Sequence, residues 1–163
     1  MQNMKERYEE LLLQVKGLVG GEENAVGALA NVTAAMREMF PERYFWVGFY
    51  IVDNKQKKLR LGPFQGSVAC YEIGYGRGVC GTSWQRDETI VVGDVEKFPG
   101  HIACSSLSRS EIVVPVHGKD GSVVAVLDID SDKSDTFGDT DKDCLEQLVK
   151  LLPEEIFVKL SLM

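Results

Sequence analysis

Two groups of side chains in this sequence have the chemistry for redox work. Cys70, Cys80, Cys104 and Cys144 lie 10, 24 and 40 residues apart, which forms neither a C-x-x-C pair nor a zinc-binding spacing. No metal is therefore expected. The thiols are either buried apolar side chains or a redox pair in a reducing compartment, and spacing does not separate these readings. Cys104 has polar neighbours in Ser105 and Ser106, which argues against a deep core position. On a helical turn His101 would share a face with Cys104 and favour its thiolate. A histidine bonded to the local backbone is the plainer reading and the one preferred from sequence.

The second group is acidic. Glu111 opens a β-rich run, while Asp128 and Asp130 close another and, two residues apart on a strand, share a face. A solvated strand end would explain the aspartates alone, but a hairpin turn at Asp120-Gly121 should bring Glu111 beside them. Three crowded carboxylates repel, so at least one should hold a proton near neutral pH and be able to donate it to an oxygen.

Gly76, Gly78 and Gly81 spell G-x-G-x-x-G, yet no βαβ unit surrounds them, which speaks against a dinucleotide site. They are read instead as letting the backbone take positive φ around Cys80, a flexible cysteine loop of the kind a resolving thiol needs.

These residues require elements to hold them. Leu11, Leu12, Val15 and Leu18 mark a helix stopped by Gly20-Gly21; Leu29, Val32, Met36 and Phe40 mark a second, from near Asn24 to before Pro41. Tyr44 to Val52 and Lys58 to Phe64 read as a β-hairpin broken at Asp53-Asn54. Residues 66–110 show little periodicity beyond Ile90 to Val92 and a helical turn from Thr82 to Gln85, the mark of a functional excursion. Ile112 to Val116 and Ser122 to Asp130 form the second hairpin. Leu145, Leu148, Leu151 and Leu152 stripe a closing helix, 139–157, that Pro153 breaks or kinks. The expected fold class is α+β, a central antiparallel sheet with helices packed on one face. The division is one domain over 1–163: helices in 4–40, sheet and site loops in 44–131, and the closing helix.

With 163 residues and 44% apolar content, one core can enclose a small molecule. A net charge of -7 without a Lys/Arg stripe speaks against nucleic acid. No apolar run approaches the roughly 20 residues of a membrane span, and the N-terminus is not signal-like. The expectation is a soluble, cytoplasmic protein without a membrane partner.

The wording of several segments then carries a resemblance. Gly78-Val79-Cys80-Gly81, Val92-Gly93-Asp94-Val95, Phe98 to Cys104, Ser110-Glu111-Ile112-Val113-Val114-Pro115 and Leu127 to Ser131, together with Trp46-Val47-Gly48-Phe49-Tyr50, closely resemble the free methionine-(R)-sulfoxide reductases. The resemblance runs over roughly residues 5 to 157. It implies a GAF fold, reduction of the free amino acid's sulfoxide rather than the protein-bound form, and thioredoxin as electron source with no metal or organic cofactor. Cys104 matches the family's nucleophile and Cys80 its main resolving cysteine. Glu111, Asp128 and Asp130 match the acids that hold the sulfoxide oxygen and the substrate's amino end, and Trp46 and Tyr50 match the pocket's aromatic walls. Many members carry a further cysteine ten residues after the first, where this chain is read as having Ile90. Cys70 and Cys144 match no family position and are read as structural or incidental. A homodimer is compatible with this reading. Two rivals are a GAF module that senses a small molecule without turnover and a thiol redox sensor.

Overall fold

Asparagines start both N-terminal helices. In the computed structural model, which describes residues 1–102 and 104–163, Asn3 and Asn24 accept from the amides of Glu6 and Gly27, capping α1 (Met4–Val19) and α2 (Ala25–Met39). Each cap satisfies one amide that a helix start leaves without an intrahelical partner. Gly21, at φ 72°, turns the chain between the two helices.

Among the described residues six strands follow: β1 (Trp46–Asp53), β2 (Lys58–Gln65), β3 (Glu72–Gly74), β4 (Ile90–Val92), β5 (Ser110–His117) and β6 (Val123–Ser131). They form one sheet in the order β3-β2-β1-β6-β5-β4, every neighbour antiparallel. The two expected hairpins, β1-β2 and β5-β6, meet through β1 and β6.

The period of two along each strand sorts side chains between two cores. Val47, Phe49 and Ile51 of β1, Ile112 and Val114 of β5, and Leu127 and Ile129 of β6 pack with α1, α2, α4 (Asp139–Lys150) and α5 (Glu154–Ser161). The opposite parity places Trp46, Tyr50, Val113 and Val126 against Val79, Cys80 and Trp84 of α3 (Gly78–Arg86). Four helices thus make the expected layer on one face, while α3 covers the other. Among the described residues, no helix is long and apolar enough to cross a membrane.

Two expectations change. The closing helix of 139–157 is two helices, α4 and α5, because Pro153 has no amide to continue the ladder and becomes the residue that precedes α5. The loop expected around Cys80 is helix α3, longer than the turn expected at Thr82 to Gln85. Gly76 and Gly78 do take positive φ, 74° and 59°, in the turn that leads into it. Gly81 has a different purpose: a Cβ there would run into the Gly74 carbonyl, so its lack of a side chain lets α3 lie against the end of β3.

A buried polar knot ties the helical layer to the turn after α2. The Tyr8 hydroxyl donates to Asp141 (2.5 Å) and shares a hydrogen bond with the Tyr44 hydroxyl (2.8 Å), while Arg43 forks onto both Asp141 oxygens at 2.6 and 2.9 Å. Bidentate, charge-assisted pairing is what makes a buried carboxylate tolerable.

Candidate active site

Strand register assembles the acids. Asp130 on β6 pairs with Trp46 on β1 and with Glu111 on β5, so these three form one row across the sheet; Gly48, Asp128 and Val113 form the next. All the side chains in these rows point to the α3 face, because they share its parity. Gly48 has no side chain for a steric reason: a Cβ would meet Phe64 and the Trp46 ring. Trp46 therefore lies flat across the row, stacked on Phe64 at 5.2 Å and Tyr50 at 6.0 Å between centroids.

The two aromatic residues also hold the chain over the sheet. Trp46 Nε1 donates to the Ser67 carbonyl at 3.0 Å and the Tyr50 hydroxyl to the Cys70 carbonyl at 3.1 Å. From the opposite side comes the segment carrying His101 and Cys104; Ala103, part of the motif ahead of Cys104, lies outside the described residues. A cavity opens between these segments, lined by Trp46, Tyr50, Cys80, His101, Cys104, Glu111, Asp128 and Asp130.

Cys104 is bonded to Cys70, with 5.5 Å between the Cα atoms. This corrects the expectation that Cys80 is its disulfide partner, and it gives Cys70, expected to be structural or incidental, a bond to Cys104. Cys80 is a free, buried thiol on α3, and Cys70 lies on the irregular stretch between β2 and β3. The two cysteines spaced by ten residues are thus Cys70 and Cys80, and Ile90 is the first residue of β4, paired with Val113. Cys144 packs in the helical core, as a structural thiol would.

Burial dominates the electrostatics. It pushes the Glu111 carboxyl well above the usual carboxylate range, and the charges of Asp128 and Asp130 add to this. Burial also raises Asp130, with Asp128 adding to it, and raises Asp128, which Glu111 and Cys80 partly counter by hydrogen bonding. Among the described residues, Asp128 Oδ1 has no hydrogen-bond partner. Such an orphan acceptor costs free energy and marks where a donor from a ligand fits. Desolvation and then the Asp128 charge drive the Cys80 thiol well up, so it stays protonated, unlike an attacking thiolate. Donor atoms of Cys80, Glu111 and Asp128 lie within 4.8 Å of one another, a cluster that would take a cation only by giving up its protons.

His101 is held by a turn in which Pro99 and Gly100 (φ 73°) occupy the centre and the His101 amide donates to the Phe98 carbonyl at 3.2 Å. The backbone thus makes the local bond, while the ring turns toward the acids. Its Nε2 stands 3.8 Å from Glu111 Oε1. Burial lowers its pKa below the usual histidine value, and the Asp128 charge opposes this.

Cys70 is the site residue that sequence reasoning missed. One signal was available: it follows the small-residue stretch Gly66-Ser67-Val68-Ala69, which no strand or helix pattern claims, whereas Cys80 precedes a helical turn that would bury it.

A family model, that of the GAF domain, matches residues 24–152. The chain is 57% identical over 148 residues to GAF domain-containing protein A of Dictyostelium discoideum, covering 91% of each chain. It is 42% identical over 161 residues to the free methionine-R-sulfoxide reductase of Saccharomyces cerevisiae, covering 96% of this chain and 89% of that one. The X-ray structure of the free methionine-R-sulfoxide reductase of Neisseria meningitidis in complex with its substrate superposes with a TM-score of 0.92 at 45% identity, over 100% of this chain and 96% of that one. With its GAF fold and this identity over nearly its full length, the chain belongs to the free methionine-R-sulfoxide reductase family of GAF domain proteins.

Proposed function

We propose that this protein reduces free L-methionine-(R)-S-oxide to L-methionine, with Cys104 as nucleophile, Cys70 as resolving thiol and Glu111 as proton donor. The observation that carries the reading is the Cys70–Cys104 disulfide, whose Cys104 lines the same cavity as the buried carboxyl groups of Glu111 and Asp128 and the half-buried Asp130. The Cys104 thiolate attacks the sulfoxide sulfur. As the S–O bond breaks, the oxygen leaves on Cys104 as a sulfenic acid and takes the proton of Glu111. The substrate sulfur gains two electrons and Cys104 loses them. Cys70 then displaces water to form the disulfide, which a dithiol protein, thioredoxin, reduces by exchange. General acid assistance of this kind is worth about two to four orders of magnitude.

Recognition follows from charge and enclosure. The unpartnered Asp128 oxygen receives the substrate ammonium with Asp130, and Trp46 and Tyr50 wall the thioether. Gly78, Val79 and Cys80 at the N-terminus of α3 line the same cavity, and no side chain caps that helix, which suits the substrate carboxylate. Pairing both backbone charges selects the free amino acid over a methionine within a chain. The protein's own groups supply the chemistry, and the reading places it in the cytoplasm, where thiols are kept reduced.

The test is NADPH consumption with methionine-R-sulfoxide, thioredoxin and thioredoxin reductase. Wild type consumes NADPH continuously and Cys104→Ser not at all. A wild type as inactive as Cys104→Ser overturns the reading in favour of a sensing module, and rapid stoichiometric oxidation of Cys104 by peroxide alone would favour a redox sensor.

A further inference from the structure

The proposed reaction leaves a debt of one proton in the pocket. Across both steps the sulfoxide, the Cys104 thiolate, the Glu111 carboxyl and the Cys70 thiol become methionine, a disulfide, water and a Glu111 carboxylate. Both hydrogens of the water come from Glu111 and Cys70. Glu111 is therefore left charged in a site that disfavours its charge, with Asp128 and Asp130 beside it. Its side chain is 7% exposed, so recovery of the proton directly from bulk water is obstructed.

Among the described residues lining the cavity, the titratable groups are Tyr50 on β1, Cys80 on α3, Glu111 on β5, Asp128 and Asp130 on β6, and His101 with Cys104 on the incoming segment. All but His101 are acids that become anions; only the imidazole can take a proton as a cation near neutral pH. It is also near Glu111 and more open to solvent than that residue, with 16% of its side chain exposed and Nε2 3.8 Å from Glu111 Oε1. That gap is closed by one bridging water or a small ring movement. The Pro99-Gly100 turn fixes the backbone of His101, so the ring is presented to Glu111 rather than left to solvent.

We propose that His101 is a positioning residue that relays a proton from solvent to Glu111 after each turnover. The relay responds to the state of the site. While Glu111 holds its proton, burial keeps the imidazole neutral; once Glu111 is charged, the nearby anion draws a proton onto the ring and accepts it. The inference rests on Glu111 being the proton donor, and the experiment separates the two claims.

Pre-reduced wild type, His101→Gln and Glu111→Gln are mixed with methionine-R-sulfoxide and quenched rapidly, to measure methionine formed in the first turnover. Steady-state turnover is then followed with saturating thioredoxin and its reductase. For His101→Gln the expectation is a first turnover at the wild-type rate, because Glu111 enters it protonated, followed by a steady state slower by about 100-fold, the lower end of what a positioned proton carrier supplies. In His101→Ala, added imidazole raises the steady state and leaves the first turnover unchanged. A first turnover slowed as much as the steady state would show a structural role and overturn the relay, and so would an unchanged steady state. A normal first turnover in Glu111→Gln overturns the choice of proton donor instead, whatever His101→Gln does.

Discussion

A thiol packed on a helix among carboxyl groups and a thiol on an irregular segment differ in what they can do after the first step. Cys80 is held protonated by burial and by the charge of Asp128, whereas Cys70 already reaches Cys104. Cys80→Ser is expected to keep forming the Cys70–Cys104 disulfide, as peptide mapping after one substrate addition would show. Cys70→Ser should accumulate a Cys104 sulfenic acid that a dimedone probe traps. The acids make a stability claim as well. A carboxyl group whose pKa is raised in the fold binds its proton more tightly there than in the unfolded chain, so its contribution to stability worsens as pH rises above the ordinary glutamate value of 4.5. Glu111→Gln removes that liability. Its thermal midpoint should exceed that of wild type at neutral pH by about 2–4 °C for each kcal/mol relieved, with the gain shrinking toward acid pH, while activity falls. A lower midpoint at neutral pH would contradict the assignment of a strained proton donor.

α3 shows how one element fixes a site it only borders. It carries Cys80 against the sheet and presents its uncapped start to the cavity. Its approach to β3 depends on Gly81, where any Cβ would press on the backbone oxygen of Gly74. Gly81→Ala should cost roughly 1–3 kcal/mol, the usual penalty of overpacking against a neighbour that cannot rotate away. Denaturant titration would measure the loss, and substrate KM should rise with it because the α3 start moves. The same substitution at Gly17, where a Cβ meets nothing within 4 Å, removes a flexible glycine from the interior of α1 and should stabilise by about 0.5–1 kcal/mol.

At the scale of the molecule, the helical layer is clamped by the Tyr8, Arg43, Tyr44 and Asp141 knot. Desolvation works against the Asp141 charge, but hydrogen bonds from Arg43 and Tyr8 outweigh it and hold the carboxyl below its ordinary value of 3.8. A group with a depressed folded pKa contributes stability that is present above the unfolded value and is lost as pH falls through the folded one. Acid unfolding below about that ordinary value should therefore be steeper in wild type than in Asp141→Asn. Arg43→Met, which strands the buried carboxylate, should cost about 3–5 kcal/mol in chemical denaturation at neutral pH, far more than an exposed ion pair. The site sits on the opposite face of the sheet, so a modest activity change per folded molecule is expected beside that large loss of stability.

Much of this protein was legible in local pattern. The aromatic and β-branched run of Tyr44 to Val52, the strand run of Ser122 to Asp130, the helix start near Asn24, the Asp120-Gly121 turn and the break at Pro153 are decided by neighbours in the chain, and each element formed close to where its pattern lies. The meeting of Glu111 with Asp128 and Asp130 was legible too, because a short hairpin leaves little freedom of register. The choice between Cys70 and Cys80 was not. Both lie ahead of Cys104 in one stretch that reads as aperiodic, and which sulfur arrives depends on α3 burying one while Trp46 and Tyr50 anchor the other's backbone across the sheet. The placement of His101 beside Glu111 was equally hidden, since it joins a turn to a strand that meet only when the fold closes. Contacts between residues far apart in the chain are set by packing over the whole molecule, and no local spacing encodes them.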